Sequence, residues 1–351
     1  MAKSLQINSG SVLIGNPIGV SVRAESVSGN IAFHKVKLVV KAALSSDGIQ
    51  EEFVMSATAG NEETVEFDIS DALRTVAGRF SFSPVESDHT YPYLSYTLSA
   101  YDEYMADGIL HEKVGEQIYP GTLYALMGAF TDAERMAAGD TKELKSYSRK
   151  PNEGEVCHPE ELLVYPVESG FSLGMKDKIT AGPTVKCMDL TGKSGIQKVG
   201  DRTIYVDPNA ENRIQFQFVN GLGIVESISA ETLSGMETKG EIEMNTVSAS
   251  TSFGNINRMY GNKSGRRPVL SCSTGLINYD WACWWHDEFF GSDKFRNTIS
   301  TGCWVKIGGR WYPCVAYLED DAPLYNQAEQ KGIQLNFTVE IGIDGLPHPY
   351  L

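Results

Sequence analysis

The stretch His34-Lys35-Val36-Lys37-Leu38-Val39-Val40-Lys41-Ala42 decides the fold class, because its apolar and polar residues alternate. Successive side chains of a β-strand point to opposite faces of the sheet, so every second residue shares a face. The two faces of this stretch are Val36, Leu38 and Val40 against Lys35, Lys37 and Lys41. The pattern predicts a half-buried strand of an antiparallel sheet.

Alternation of the same kind recurs along the chain. Such runs include residues 63–69, 94–100, 202–206, 214–219, 238–247 and 335–343. The chain also contains 34 Gly and 14 Pro, which between short apolar runs indicate many turns. We therefore predict a mainly β protein with two tandem β-sandwich or β-rich domains, a few short helices and an irregular connector.

Three regions follow from this pattern. Residues 1–118 are predicted to form an N-terminal β-sandwich with a short helix near residues 71–77. Residues 119–200 are predicted to form a connector or arm with one short helix, which starts at the capping-box sequence Thr131-Asp132-Ala133-Glu134. Residues 201–351 are predicted to form a C-terminal β-rich domain with one helix rich in tryptophan. The stripe of that helix is Trp281, Trp284, Trp285 and Phe289, a spacing typical of a buried helix face.

The charge of the chain excludes several classes of partner. The 351 residues include 45 Asp+Glu and 30 Lys+Arg, which gives a net charge of −15. Nucleic-acid binders draw most of their affinity from Lys and Arg, so we expect no nucleic-acid partner. No apolar run is long enough for a membrane-spanning helix, and we expect no membrane insertion. The first residues lack the apolar run of a signal peptide, so we expect synthesis without secretion.

Gly308-Gly309 predicts a tight β-hairpin turn between two strands. With these glycines in the turn, Cys303 lies opposite Cys314 and Lys306 lies opposite Trp311. Pro313 falls on a non-hydrogen-bonded pair, as a residue without an N–H must. The expected Cα separation of the two cysteines, about 5.5 Å, is within disulfide range, but in a reducing compartment we expect free thiols.

The predicted hairpin places three large side chains on one face, Trp304, Lys306 and Trp311. The opposite face carries the two cysteines and is also apolar. If the cysteine face belongs to the core, the tryptophan face packs against another element, another subunit or a ligand such as a sugar ring. We keep these three residues as a candidate interface or glycan platform.

The stretch from residue 140 to residue 161 is polar and contains the densest run of basic residues. Its candidate contact residues are Lys142, Lys145, Arg149 and Lys150. In a chain with a net charge of −15, a basic arm can contact an acidic neighbour of the same kind. We therefore treat this stretch as a candidate assembly arm for a homo-oligomer.

No complete catalytic motif is present, and we predict no catalytic residues, no metal and no cofactor. Gly192-Lys193-Ser194 would need glycine at position 187 to form a phosphate loop, and that position is cysteine. Cys283 and His286 lie three residues apart and could share a metal ligand face, but cysteine beside tryptophan is more often a small buried apolar residue. Asp287, Glu288 and the cluster Glu319-Asp320-Asp321 could serve a glycosidase only if a fold brought two carboxylates together.

Four segments resemble one group of viral proteins. They are Val65-Glu66-Phe67-Asp68-Ile69-Ser70-Asp71-Ala72-Leu73, Phe218-Val219-Asn220-Gly221-Leu222-Gly223, Trp285-His286-Asp287-Glu288-Phe289-Phe290-Gly291-Ser292 and Gly309-Arg310-Trp311-Tyr312-Pro313-Cys314-Val315. Together they resemble structural proteins from the tail and baseplate regions of phages and prophages of gut Bacteroidetes. The resemblance implies a non-enzymatic virion protein that is made in the host cytoplasm and binds other tail or baseplate proteins.

Two other functions fit the same residues. A carbohydrate-binding or adhesin module would use Trp304 and Trp311 as a stacking platform, with a host surface glycan as its partner. A glycoside hydrolase is the third class, and it would need two of the carboxylates named above to meet in a cleft.

Overall fold

A computed structural model describes residues 4–7, 13–131, 134, 143–144, 147–167, 171–172, 183–210, 212–239, 242–251, 254–263, 267–291, 302–318 and 332–342. Strands make up 54% and helices 8% of the structure, which confirms the predicted mainly β fold. No helix in the described ranges is long and apolar enough to cross a membrane.

Two antiparallel sheets of the N-terminal region share one hydrophobic core. The first sheet has the order β1 (Leu5–Ile7), β2 (Gly19–Arg23), β5 (Thr64–Asp68), and the second has the order β4 (Gln50–Thr58), β3 (Ile31–Leu44), β7 (Leu94–Ala106), β8 (Ile109–Ile118). The short strand β9 (Leu123–Ala125) pairs with β7, and helix α1 (Ser70–Ala77) forms where a short helix was predicted. Val20 of the first sheet and Val36, Leu38 and Val40 of the second are completely buried in this core. The arrangement is sandwich-like, as the alternation predicted.

The middle region contains more strand than the sequence predicted for a connector. Its strands are β10 (Glu143–Leu144), β11 (Glu155–Cys157), β12 (Leu162–Pro166), β13 (Phe171–Ser172), β14 (Thr184–Asp189) and β15 (Gly195–Val199). They pair with one another and with two strands outside residues 119–200, β6 (His89–Thr90) and β16 (Arg202–Val206). They form the small sheets β12-β14-β6, β11-β16-β15 and β10-β13. Short strands that pair across long sequence separations, such as β11 with β16, leave little local pattern to detect.

The predicted capping box is present. The Thr131 hydroxyl accepts from the Glu134 N–H at 3.0 Å, and the Glu134 carboxylate accepts from the Thr131 N–H at 2.9 Å. The rest of the predicted helix lies outside the described residues.

Seven strands of the C-terminal region form one antiparallel sheet. Its order is β18 (Val225–Thr232), β17 (Arg213–Val219), β23 (Cys303–Ile307), β24 (Arg310–Leu318), β25 (Asn336–Ile341), β22 (Arg267–Ser273), β19 (Glu237–Lys239). Glu231 and Thr232 of β18 also pair with β22, so six of the strands close into a ring. The tryptophan helix packs against the apolar side chains of this ring.

The tryptophan helix begins as predicted at an Asn cap. The Asn278 side chain accepts from the Trp281 N–H at 3.0 Å, and helix α2 (Tyr279–Trp284) continues into a π-helical segment, Trp285–Phe289. All four residues of the predicted stripe are buried, with at most 8% of each exposed. The stripe is therefore core, as its spacing predicted.

Candidate functional site

The hairpin of β23 and β24 has the register that its two glycines predicted. Ile307 pairs with Arg310, Lys306 with Trp311, Trp304 with Pro313 and Cys303 with Cys314. Gly308 and Gly309 have φ values of 56° and 81°, which side chains other than glycine rarely adopt. Cys303 and Cys314 are free thiols.

The tryptophan face of this hairpin is used within the chain. The Trp304 ring packs against the N-terminal core, and its indole N–H donates to the Phe82 carbonyl at 3.2 Å. The Lys306 ammonium lies 5.8 Å from the centre of the Trp311 ring. Trp304 is therefore engaged within the chain, whereas Trp311 stays half-exposed beside Lys306.

Arg149, one residue of the candidate arm, is the centre of an internal ion-pair network. Its guanidinium donates two hydrogen bonds to Glu134, at 2.7 and 2.8 Å, and one to Glu288 at 2.6 Å. Only 15% of the Arg149 side chain is exposed. Burial opposes its charge, but Glu288 and Glu134 outweigh that effect and raise the pKa of the guanidinium.

Lys150 is buried even more completely, and its ammonium donates to Glu155 at 2.6 Å and to the carbonyl of Ser227. The prediction that Arg149 and Lys150 belong to an exposed arm is therefore wrong. Basic residues in a polar stretch usually lie in solvent, but here Arg149 binds Glu288 from a distant segment and Lys150 binds the nearby buried Glu155. The other two residues of the predicted arm, Lys142 and Lys145, lie outside the described residues.

Two of the carboxylates considered for hydrolysis, Glu288 and Asp287, contact other residues of the chain. Glu288 binds Arg149 and accepts from the Gly221 N–H at 2.6 Å, whereas Asp287 contacts His286 at 2.9 Å. The cluster Glu319-Asp320-Asp321 lies outside the described residues. Within the described ranges, no group of three or more His, Cys, Asp or Glu residues is placed to hold a metal ion.

A polar cleft of about 290 Å³ lies between β17, β18 and the start of α2. Its lining includes Asn212, Arg213, Glu231 and Thr274. Trp281 and Trp285 also line it, but each is at most 3% exposed, so their rings offer little area for stacking on a ligand.

Glu161 is a buried carboxyl beside this cleft's strands, and one of its oxygens has no hydrogen-bond partner within the described part of the chain. Burial raises the pKa of Glu161 to about 7, although hydrogen bonds from the His158 N–H and from Ser229 oppose the shift. The nearby charges are Arg213, which lowers the pKa, and Glu155, which raises it. The folded protein therefore holds a proton here over a pH range in which the unfolded chain has lost it.

We expect Glu161→Gln to stabilise the protein more at high pH than at low pH. In the wild type, the raised pKa of Glu161 contributes fully to the free energy of unfolding below the pKa of the unfolded chain. That contribution is lost as the pH rises through the folded pKa of about 7. Because Gln cannot ionise, the gain should be near zero at about pH 4 and about 3 kcal/mol at about pH 8. Denaturant unfolding at the two pH values measures it, with exposed Glu160→Gln as the control. An equal effect at both pH values would refute the assignment.

In the described ranges, the longest strand pair without a third strand is a β-ribbon, of which the sequence predicted only the first strand. It consists of β20 (Ile242–Thr251) and β21 (Gly254–Lys263), which pair in ten antiparallel positions. In the described part of the chain the ribbon pairs with no other strand. The chain enters it from β19 and leaves it into β22, whose residues Lys239 and Arg267 are themselves paired. We refer to β20 and β21 as the ribbon.

The sequence carried one half of the signal for the ribbon. Residues 238–247 alternate and predicted a strand, but the returning strand Gly254-Asn-Ile-Asn-Arg-Met-Tyr mixes polar and apolar residues on both parities. The turn signal Ser252-Phe253-Gly254 between them is weak. A search for two polar strands of equal length about a central glycine could have found it.

Comparison with known proteins adds no relative. No family model matches the chain, and no curated protein matches its sequence.

Proposed function

We propose that the protein is a non-catalytic structural subunit of a phage tail or baseplate, and that it assembles with further copies and with other virion proteins through its β-strand edges. The observation that carries the proposal is the ribbon. A two-stranded hairpin is at best marginally stable alone in water. Ten pairs extend roughly 30 Å, and both outer edges present backbone N–H and C=O groups. A strand from a neighbouring subunit satisfies those groups by β-augmentation.

A second strand edge supports the same proposal. Strand β8 is the outer strand of the sheet β4-β3-β7-β8. It exposes more than half of Ile109, Leu110 and Ile118. Exposed apolar residues along an unpaired edge favour pairing with another chain unless the fold covers them. A second copy of this chain is the occupant we propose.

The viral assignment draws on the four segments that resemble phage tail and baseplate proteins. The fold is compatible with it, because the described part of the chain contains a closed sheet and a ribbon that pairs with no other described strand. Arg149 and Lys150 bind carboxylates of the same chain, so they do not form a basic arm for a neighbouring subunit.

We expect the protein without its ribbon to fold but to self-associate less, because only the β8 edge remains. Residues 242–263 are replaced by a short Gly-Ser linker, which is feasible because Lys239 and Arg267 already lie opposite each other. Sedimentation velocity over a range of concentrations should show smaller oligomers for the variant than for the wild type at each concentration. The far-ultraviolet circular dichroism and Tm should change little.

The matched control keeps both strands and changes only their connection, Ser252→Asn with Phe253→Gly. Asn-Gly is a favoured two-residue hairpin turn. This control should associate like the wild type. If the ribbon-deleted variant forms the same oligomers, or if the wild type is monomeric at all concentrations, the ribbon is not the assembly element.

A further inference from the structure

Two thiols face each other across the β23–β24 pair. Cys303 and Cys314 occupy directly opposite positions, and their Sγ atoms are 3.6 Å apart. The Cys314 S–H donates a hydrogen bond to Cys303 Sγ. In the described ranges, no other two cysteines are hydrogen-bonded to each other.

The backbone already has the spacing that a disulfide needs. Opposite residues in antiparallel strands have Cα atoms about 4.5 to 5.5 Å apart, and disulfides span about 4.4 to 6.8 Å. The strands are held by their own hydrogen bonds and by neighbours on both sides, β17 and β25. Closing the bond requires the two sulfur atoms to approach by about 1.5 Å, which side-chain rotation supplies.

The two thiols differ in their access to solvent. Cys303 is half-buried, whereas Cys314 is buried. The hydrogen bond to Cys303 and burial raise the pKa of Cys314 well above its usual range. A reagent from solution therefore reacts first with Cys303. Cys314, opposite it on the neighbouring strand, is then the second thiol within reach.

We propose that Cys303 and Cys314 form a redox-active pair that small-molecule disulfides close into a cross-strand disulfide. In the first step the Cys303 thiolate attacks one sulfur of the small disulfide, whose S–S bond breaks and releases one thiol. In the second step Cys314 loses its proton to water and attacks Cys303 Sγ, which releases the second thiol. The protein loses two electrons and two protons, and the small disulfide gains them as two thiols.

The disulfide would tie together two central strands of the closed sheet, beside Trp304, whose side chain contacts the N-terminal core. Its effect is to make the unfolding of this region harder once the protein leaves a reducing compartment. The inference does not depend on the proposed assembly, because both thiols belong to one chain.

The test uses glutathione disulfide and the full-length protein. After incubation, the remaining thiols are alkylated in denaturant and the protein is mapped by peptide mass spectrometry. We expect a Cys303–Cys314 cross-link, no lasting glutathione on Cys303, and a Tm that rises by several degrees and returns to its starting value on reduction. The variant Cys314→Ser should accumulate glutathione on Cys303, because the second step is lost.

Cys187 provides the control, because it is half-buried and, in the described ranges, has no recorded contact with another cysteine. Cys187→Ser should leave the cross-link unchanged. The proposal fails if the wild type stops at a glutathione adduct on Cys303, or if Cys303 stays reduced under conditions in which Cys187 reacts. Because the wild-type protein alone gives the deciding result, a folding defect in either variant does not protect the proposal.

Discussion

Replacing Lys150 with methionine should destabilise the protein by about 3 to 5 kcal/mol. The Lys150 side chain is fully buried and its ammonium donates to Glu155, which is only 3% exposed. Methionine has a similar volume, so the loss comes mainly from charge and hydrogen bonds. Among the described residues, Glu155 would keep only Arg202, at 3.4 Å, as an ion-pair partner. Leaving a carboxylate buried without its closest cation costs much more free energy than the intact ion pair contributes to stability.

A second carboxylate makes the effect of Lys150 larger. Burial raises the pKa of Glu226, and Lys150 is the strongest of the charges that oppose this shift. Removing Lys150 therefore destabilises the charged form of Glu226 as well. The Lys150 ammonium also lies 5.4 Å from the centre of the Trp284 ring, so a cation–π contact is lost.

Denaturant unfolding of the wild type, Lys150→Met and a control measures this prediction. The control is Lys41→Met, because Lys41 pairs with Glu52 and both side chains are about half exposed. We expect the control to cost about 0 to 1 kcal/mol. Equal effects of Lys150→Met and Lys41→Met would contradict the buried network.

Gly223→Ala should be nearly as damaging, for a steric reason. Gly223 has a φ of +80°, and a Cβ there would lie only 1.9 Å from the Met127 carbonyl oxygen. The facing Gly128 is equally constrained, because its Cβ would lie 2.2 Å from the backbone of Leu222. The backbones of residues 127–128 and 222–223 are therefore in direct contact. A Cβ at position 223 fits only if these two segments move apart.

The expected cost of Gly223→Ala is about 2 to 5 kcal/mol, which combines left-handed backbone strain with overpacking. Gly192→Ala is the matched control, since Gly192 has a φ of +73° but nothing within 4 Å of its added Cβ. That control carries only the strain of about 1 to 2 kcal/mol. The difference between the two variants in denaturant unfolding isolates the close approach. If both variants lose the same stability, the contact is looser than the structure has it.

Features set by neighbouring residues were predictable from the sequence. The strand His34–Ala42, the Asn278 cap and the whole register of the Gly308-Gly309 hairpin depend on residues close in sequence, and their patterns were sufficient. The burial of the tryptophan stripe follows from helical spacing in the same way.

Features set by distant residues were not predictable. Arg149 and Lys150 look like solvent-exposed charges until the fold brings Glu288 and Ser227 to them from residues more than 70 positions away. Several middle strands were missed for the same reason, because they are short and their partners lie far along the chain, as β11 pairs with β16. The ribbon was half predicted, since only one of its two strands alternates clearly.

The most direct test of the assembly proposal is amide hydrogen exchange of the ribbon at several protein concentrations. If neighbouring subunits pair with the ribbon, the amides of residues 242–251 and 254–263 should exchange more slowly as concentration rises and oligomers form. Amides of the buried strand β3 should keep the same protection throughout and serve as the internal reference. Ribbon amides that exchange equally fast in monomers and in oligomers would contradict assembly through this element.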